Sequence, residues 1–181
     1  MSDISISLHD RLVDCGLTLI ERGGEVSLRA VARAAGVSAM APYRHFSDKA
    51  ALMAAVARRG FAMLEATAAR ADVTPDAAEA LAAQGAAYIG FARANPALFR
   101  LMFADGAGLG LPREECEGAY ALMTRRVAQL APARAETGTL ACWGLVHGLA
   151  TLALDGRIAP NPAAEQEVLR LIAEALARPV G

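Results

Sequence analysis

Aromatic side chains are scarce in this sequence: they make up 5% of the 181 residues, whereas hydrophobic residues make up 55%. Alanine is the commonest of the hydrophobic residues, and β-branched residues are few. Alanine has the highest helix propensity, while strands are enriched in β-branched and aromatic residues. The composition therefore predicts an all-α protein, long enough for one domain of ordinary size or two small ones.

Cysteine is also rare, which excludes two kinds of framework. Cys15, Cys116 and Cys142 are odd in number, far apart and outside any CxxC arrangement, so neither a disulfide scaffold nor a zinc knuckle is expected. The first residues, "MSDISISLHDRL", lack a basic segment followed by an apolar run, so no secretory signal is expected. The expected location is the cytoplasm.

The sequence lacks the motifs of the common enzyme classes. The histidines His9, His45 and His147 lie in separate segments, with no HExxH and no nucleophile motif. A glycine-rich stretch, "DGAGLGLP" at 105–112, has no lysine and does not follow a strand, so it is expected to be a connector and not a phosphate-binding loop. We therefore expect no catalytic residue, no metal ion, no cofactor and no enzymatic activity.

Acidic and basic side chains are absent from one stretch of membrane-spanning length, "TGTLACWGLVHGLATLAL" at 137–154. Glu136 and Asp155 flank it, and the lysine or arginine anchors of spanning helices are missing. His147 lies within it. A helix buried inside a bundle or between two subunits fits this pattern better than a membrane span.

The charge is nearly balanced, with 18 basic and 19 acidic residues, but it is unevenly distributed. Residues 22–59 contain seven basic and two acidic side chains, whereas the chain from residue 61 onward contains ten basic and thirteen acidic ones. The N-terminal third is thus a basic module attached to a mildly acidic body. Proteins that bind nucleic acid have such a distribution, and a solvated charged face would show the same excess.

Two short capped helices joined by a glycine turn predict a helix-turn-helix. Ser27 is a good N-cap for the helix "SLRAVARAAG", which ends at Gly36, and Ser38 then begins the next segment. Pro42 falls inside that segment and lacks a backbone donor. We therefore expect a short recognition helix with an irregular first turn at Ala41. Its groove side should hold residues 39, 40, 43 and 44, opposite Pro42 and Phe46.

The rest of the chain is predicted to form further helices, which brings the number expected for the whole protein to nine. No segment is convincing as a strand. Ser47 or Asp48 should cap a long fourth helix that continues to Thr74-Pro75. Three pairs of a capping residue and a proline predict helix starts: Thr74-Pro75, Asn95-Pro96 and Asn161-Pro162.

The segment "LTLIERGGEVSLRAVARAAGVSAMAPYRHFSDKAAL" resembles the DNA-binding domain of the tetracycline-repressor (TetR) family of transcription regulators. The resemblance implies a three-helix DNA-binding domain over residues 1–55, linked by the long fourth helix to a helical effector-binding and dimerisation domain over residues 56–181. Trp143, His147 and Gly148 form a W-x-x-x-H-G element similar to the one after which a subgroup is named. Ala50 departs from the family, which commonly has glutamate after the lysine.

The predicted DNA-binding residues lie around the helix-turn-helix. Met40 and Ala39 offer apolar contacts to thymine methyl groups, and Arg44 can reach a guanine edge or a phosphate. The family's contacts to the DNA backbone fall, by resemblance, on Tyr43, His45 and Lys49. The whole predicted set is Ser27, Arg29, Ser38, Ala39, Met40, Tyr43, Arg44, His45 and Lys49.

Two further sets are predicted in the rest of the chain. Aromatic and other adaptable apolar side chains could line an effector cavity, although packing in the core is an alternative for each of them. They are Tyr88, Phe91, Phe99, Met102, Phe103, Trp143 and His147. The dimer interface is expected on the uncharged helix 137–154, packed with the final helix 163–178. Its residues are Gly144, Gly148, Leu152 and Leu171.

These residues and the resemblance together predict a sequence-specific DNA-binding regulator, a repressor in most such families. Two copies would read the half-sites of a pseudo-palindromic operator on double-stranded DNA. A small apolar effector in the C-terminal domain would release the homodimer from this DNA. The alternative is a helical ligand-binding or adaptor protein that does not bind DNA.

Overall fold

The structure is a computed structural model that describes residues 7–104 and 116–178. The glycine-rich connector predicted at 105–112 lies outside these residues. The described chain is all-helical, with eight α-helices and two short 3-10 segments. The α-helices are α1 (Leu8–Glu21), α2 (Leu28–Ala34), α3 (Lys49–Ala71), α4 (Ala77–Ala94), α5 (Pro96–Met102), α6 (Gly118–Leu130), α7 (Ala135–Leu154) and α8 (Pro162–Ala177).

The expected count of nine helices is correct except at the third segment. Residues Pro42–Arg44 form a 3-10 turn and not an α-helix, and a second 3-10 turn spans Pro132–Arg134 before α7. The expected irregularity at Ala41 is wrong, because its dihedral angles, φ −60° and ψ −44°, are those of a regular right-handed helix. Pro42 cannot donate to the carbonyl of Ser38, which instead accepts from the N–H of Ala41 at 3.0 Å. The missing donor therefore shifts the turn to i+3 bonding without distorting Ala41.

Local capping explains where the first two helices begin and end. The Ser27 hydroxyl accepts from the N–H of Ala30 at 3.1 Å, as the N-cap of α2. Gly36 follows α2 with φ +68°, and the N–H of Val37 reaches the Ala32 carbonyl at 3.0 Å. A left-handed residue at this position closes a Schellman motif, which only glycine accommodates without a steric penalty. The turn of the helix-turn-helix is therefore encoded locally.

Two of the three predicted proline starts are correct. Asn95 and Asn161 precede Pro96 and Pro162 at the first positions of α5 and α8. Thr74 as the cap of the helix after α3 is wrong. Asp76 accepts from the N–H of Glu79 at 2.8 Å, so α4 begins at Ala77. The carboxylate of Asp76 accepts this bond, while the Thr74 hydroxyl accepts from the N–H of Asp76.

The chain divides into two compact units that are discontinuous in sequence. The first takes in residues 7–60 and 95–104, and the second takes in 61–94 and 116–178, so the division falls within α3 after Gly60. In the first unit α1 and α3 meet at Gly16. A Cβ there would lie 3.0 Å from Val56 Cγ2 and 3.7 Å from Leu52 Cδ1. Burial of these apolar side chains holds the helix-turn-helix on α1 and α3.

In the second unit α4 is the central helix and contacts α6, α7 and α8. Seven buried residues form its apolar cluster: Leu81, Met123, Val127, Ala131, Cys142, Ala173 and Leu176. Gly85 allows α8 to approach, since a Cβ at this position would lie 2.5 Å from Leu169 Cδ2. Side chains of α6, α7 and α8 thus converge on α4.

Candidate functional site

The helix-turn-helix presents one side, which combines polar and apolar residues, to solvent. Met40 is 68% exposed and Tyr43 46% exposed, whereas Pro42 and Phe46 are buried. The two sides predicted for this segment are therefore those that the structure displays. The predicted DNA-binding residues are all exposed except Ser27, which is half-buried as the cap of α2.

Ring contacts connect this side to α1. The ring of Phe46 lies 5.0 Å from the ring of His9 on α1, measured between centroids, and the His45 ring lies 6.1 Å from that of His9. Asp48 caps α3 by accepting from the N–H of Ala51 at 2.8 Å. Of the two capping residues that the sequence predicted, Ser47 and Asp48, it is therefore Asp48 that caps the helix. Lys49 is the first residue of α3.

Two arginines tie α1 to the other helices of the first unit. Arg11 Nη2 donates to the carbonyl oxygen of Ala35 at 2.8 Å, where α2 ends. Arg59 Nη2 on α3 lies 3.0 Å from Asp14 Oδ1 on α1. These bonds use two basic groups of the N-terminal module for internal contacts. Arg29, Arg44 and Lys49 are exposed, and their charges face solvent.

Three of the predicted effector residues come together in the second unit. The hydroxyl of Tyr88 on α4 lies 2.9 Å from His147 Nδ1 on α7, and the rings of Trp143 and His147 are 5.8 Å apart. Burial lowers the pKa of His147, and burial raises the pKa of Tyr88 against a smaller opposing effect of a hydrogen bond with Trp143. Both groups are therefore neutral at neutral pH.

The other predicted effector residues are divided between the units. Phe91, like Tyr88, is a buried residue of the second unit, whereas Phe99, Met102 and Phe103 belong to the first. Phe99 and Phe103 contact each other with ring centroids 4.8 Å apart. Met102 packs on the backbone of α3, since a Cβ at Gly60 would lie 2.6 Å from its sulfur.

The uncharged helix is less buried than a core helix. By length and composition the segment Pro132–Leu154 could cross a bilayer, which alone is weak evidence for a span, and 28% of its most apolar window is buried within the chain. Leu140 is 62% exposed and Leu152 44% exposed, and Leu171 on α8 is 55% exposed. Apart from the neighbouring backbone of α7 itself, nothing in the described chain lies within 4 Å of a Cβ built at Gly144 or Gly148. The four predicted interface residues thus lie on accessible parts of α7 and α8.

One polar residue of the second unit is not among the predicted site residues. Gln84 on α4 is 4% exposed, and neither polar atom of its side chain has a hydrogen-bond partner among the described residues. The sequence signal that could have identified it is a polar amide within the otherwise largely apolar run "LAAQGAAYIGF". The described residues contain no cluster of three or more potential metal ligands.

Family models match most of the chain. A model described as "Bacterial regulatory proteins, tetR family" matches residues 18–56. A second, described as "Tetracyclin repressor-like, C-terminal domain", matches residues 81–176. None of the curated proteins matches the chain. The W-x-x-x-H-G subgroup remains a resemblance of sequence.

Solved structures share the fold over nearly the whole chain. A protein of unknown function from Rhodococcus sp. RHA1 is 31% identical, with 98% of this chain and 100% of that one covered and a TM-score of 0.81. A tetR-family transcriptional regulator from Streptomyces coelicolor is 24% identical, with coverages of 93% and 79% and a TM-score of 0.73. The TetR-family regulator PfmR from Thermus thermophilus is 17% identical, with coverages of 97% and 98% and a TM-score of 0.63.

Proposed function

Because the chain belongs to the TetR family and is accordingly a DNA-binding transcriptional regulator, we propose that it is a homodimeric repressor that a small-molecule effector releases from its operator. The observation that carries the proposal is the exposed side of the helix-turn-helix, on which Tyr43, Arg44 and Lys49 are exposed while Pro42 and Phe46 are buried. A regulator that works on bacterial DNA acts in the cytoplasm.

The exposed side combines the two kinds of group that DNA recognition requires. Tyr43, His45 and Lys49 supply donors for phosphate oxygens, which position a protein on the duplex. Arg44 and Met40 are exposed beside them and can reach base edges and thymine methyl groups. One turn of 3-10 helix offers few base contacts, so one copy alone would discriminate poorly between sequences. This favours binding by two copies to two half-sites about 34 Å apart.

The exposed apolar side of α7 and α8 supports a dimer. Leu140, Leu152 and Leu171 would each leave water on contact with a second copy. Gly144 and Gly148 have no Cβ, so a helix of the partner could approach their backbone closely. We infer that this surface, hereafter the α7–α8 surface, joins the two copies.

The proposed response to an effector uses the connection between α4 and α5. Only Asn95 separates α4, the central helix of the second unit, from α5, which contacts α1 in the first. The N–H of Leu98 in the first turn of α5 donates to Glu21 Oε1 at the end of α1, at 2.8 Å. An effector that displaces α4 would therefore act on α5 and α1 through a short covalent connection. A difference of about 1–3 kcal/mol in affinity between the two states changes operator occupancy by one to two powers of ten.

Fluorescence anisotropy with DNA from upstream of the protein's own gene tests the proposal. We expect saturable binding by a dimer that weakens steeply as salt rises, because phosphate contacts release counterions. A duplex of the same length with scrambled sequence is the control. Equal affinity for both duplexes would contradict sequence-specific regulation, and absence of binding to either would favour an adaptor that does not bind DNA. A reporter gene behind the same DNA should be expressed more strongly when the protein is absent; weaker expression would indicate an activator.

A further inference from the structure

The side chain of Gln84 is a buried amide whose donor and acceptor are both unpaired within the part of the chain that the structure describes. It is 4% exposed, and neither Oε1 nor Nε2 has a hydrogen-bond partner among the described residues. Most buried polar side-chain atoms in proteins are hydrogen-bonded, because an unpaired buried amide loses its bonds to water without replacement. Thr139 follows this rule: it is 2% exposed and its hydroxyl donates to the carbonyl of Ala135 at 2.7 Å. Gln84 departs from it, which calls for a physical reason.

Along α4, Gln84 lies between Leu81, which belongs to the apolar cluster, and Tyr88, whose hydroxyl contacts His147. Leu81 lies three residues before it and Tyr88 four residues after it, so the three share one face of the helix. Leu81 belongs to a cluster with Met123 of α6, and the Tyr88 hydroxyl lies 2.9 Å from Nδ1 of His147 on α7. Gln84 therefore lies on the face with which α4 meets α6 and α7.

The surroundings favour an uncharged binding partner. Burial raises the pKa of Tyr88, with a smaller opposing effect from Trp143, and burial lowers the pKa of His147. The phenol and the imidazole are both neutral at neutral pH, so they offer hydrogen bonds but no counter-charge. Transfer of a carboxylate or ammonium group into such surroundings is far less favourable than transfer of a neutral amide that gains hydrogen bonds.

We propose that Gln84 is the recognition residue of the effector site, and that the effector is an uncharged, largely apolar molecule with adjacent hydrogen-bond donor and acceptor groups, as in a carboxamide or lactam. The Nε2–H group of Gln84 donates to the carbonyl of the effector, and an N–H of the effector donates to Oε1. The inference rests on the proposed function, since it specifies the chemical class of the effector that the regulator would bind.

The test compares wild type with Q84M, which keeps the length of the side chain but removes the amide. T139V is the matched control, because it removes a buried polar group that already has its hydrogen bond. The probes are octanamide, which has the proposed donor and acceptor, and octanoate, which has the same chain but is an anion without a donor. Melting temperature is measured for each protein alone and with each probe.

We expect Q84M alone to melt about 3 °C or more above wild type, because it no longer buries an unpaired amide. Octanamide should raise the melting temperature of wild type and T139V but not of Q84M. Octanoate should bind wild type at least about tenfold more weakly than octanamide, since it lacks the donor and carries a charge.

Four results would overturn the inference. Q84M could melt below wild type, which would mean that water or protein satisfies the amide in solution. Octanamide could stabilise Q84M as much as wild type, could fail to stabilise wild type, or could bind no better than octanoate. Operator binding without probe separates this inference from the proposed function. If wild type and Q84M both bind the operator, a negative probe result removes only the role of Gln84; if wild type does not bind it, the proposed function fails.

Discussion

At the scale of single residues, Asp48 and Lys49 divide two tasks at the start of α3. Asp48 caps the helix by accepting from the N–H of Ala51 at 2.8 Å. Lys49 is exposed at the N-terminus of this 23-residue helix, where the backbone dipole favours negative and not positive charge. A lysine placed there adds little to stability. It does, however, attract an anion to a helix end that already favours one.

Lys49→Ala is expected to weaken operator binding about tenfold without lowering the melting temperature, and to reduce the slope of log affinity against log salt by about one. Anisotropy titrations over a range of salt concentrations measure both quantities. Arg70→Ala is the matched control, since it removes the same charge from an exposed position near the other end of α3. Equal losses in the two variants would show that only net charge matters.

Asp72 provides a pH-dependent contribution to stability. Arg125 Nη2 lies 2.7 Å and Arg126 Nη2 2.6 Å from its carboxylate, which is 6% exposed. Burial alone would raise the pKa of Asp72, but the hydrogen bonds and charges of the two arginines outweigh it and hold the pKa below the ordinary value of 3.8. The ionised carboxylate therefore stabilises the fold when the pH is above 3.8. This contribution disappears as the pH falls from 3.8 through the lowered pKa of the folded state.

Asp72→Asn should lower the free energy of unfolding at pH 7 by about 1–2 kcal/mol, between the values of exposed and buried ion pairs. The difference from wild type should decrease as the pH falls below 4. Urea denaturation at several pH values measures it. A difference that stays constant from pH 7 to pH 3 would contradict the assigned role of the carboxylate.

At the scale of helices, two glycines of α4 have opposite surroundings. A Cβ at Gly85 would lie 2.5 Å from Leu169 Cδ2 and 3.2 Å from Val146 Cγ1, so α8 and α7 approach α4 at this position. Apart from the neighbouring backbone of α4 itself, nothing in the described chain lies within 4 Å of a Cβ at Gly90. The first glycine is required by packing, whereas the second only lowers helix propensity.

Gly85→Ala is expected to destabilise the protein by about 1–3 kcal/mol, because the added methyl group forces Leu169 from its place in the core. Gly90→Ala, on the same helix, is expected to stabilise it by about 0.5–1 kcal/mol through helix propensity. Urea denaturation of both variants checks the pair. If both substitutions stabilise the protein, the close packing of α4 against α8 is not required.

At the scale of the whole molecule, the proposed regulator depends on the α7–α8 surface. Leu152→Glu combined with Leu171→Glu places two charges on this surface, and we expect a folded monomer by analytical ultracentrifugation. Operator affinity should fall at least about a hundredfold, because the second half-site no longer benefits from linkage to the first. Val73→Glu is the control, since Val73 is an 83% exposed apolar residue outside this surface. A dimer that survives both substitutions would rule out this interface.

The sequence predicted those features of the fold that depend on residues close together in the chain. Composition indicated an all-α protein, Ser27 and Gly36 marked the ends of α2, and the spacing of Pro42 and Phe46 indicated the buried side of the recognition segment. Capping, turn geometry and helical periodicity are local effects, so a few neighbouring residues determine them. For the candidate DNA site, the sequence therefore indicated which side chains face solvent; their contacts to DNA remain a prediction.

Other features were decided only by tertiary packing. Two local details were also missed, namely the capping of α4 by Asp76 in place of Thr74 and the 3-10 form of Pro42–Arg44, because the competing local geometries differ little. The grouping of α5 with α1, the unpaired amide of Gln84 and the exposed leucines of α7 depend on segments distant in sequence. Periodicity shows that a side chain lies on an apolar face of its helix. Only the packed structure shows whether another helix covers that face, because burial is a property of neighbours brought together by the fold.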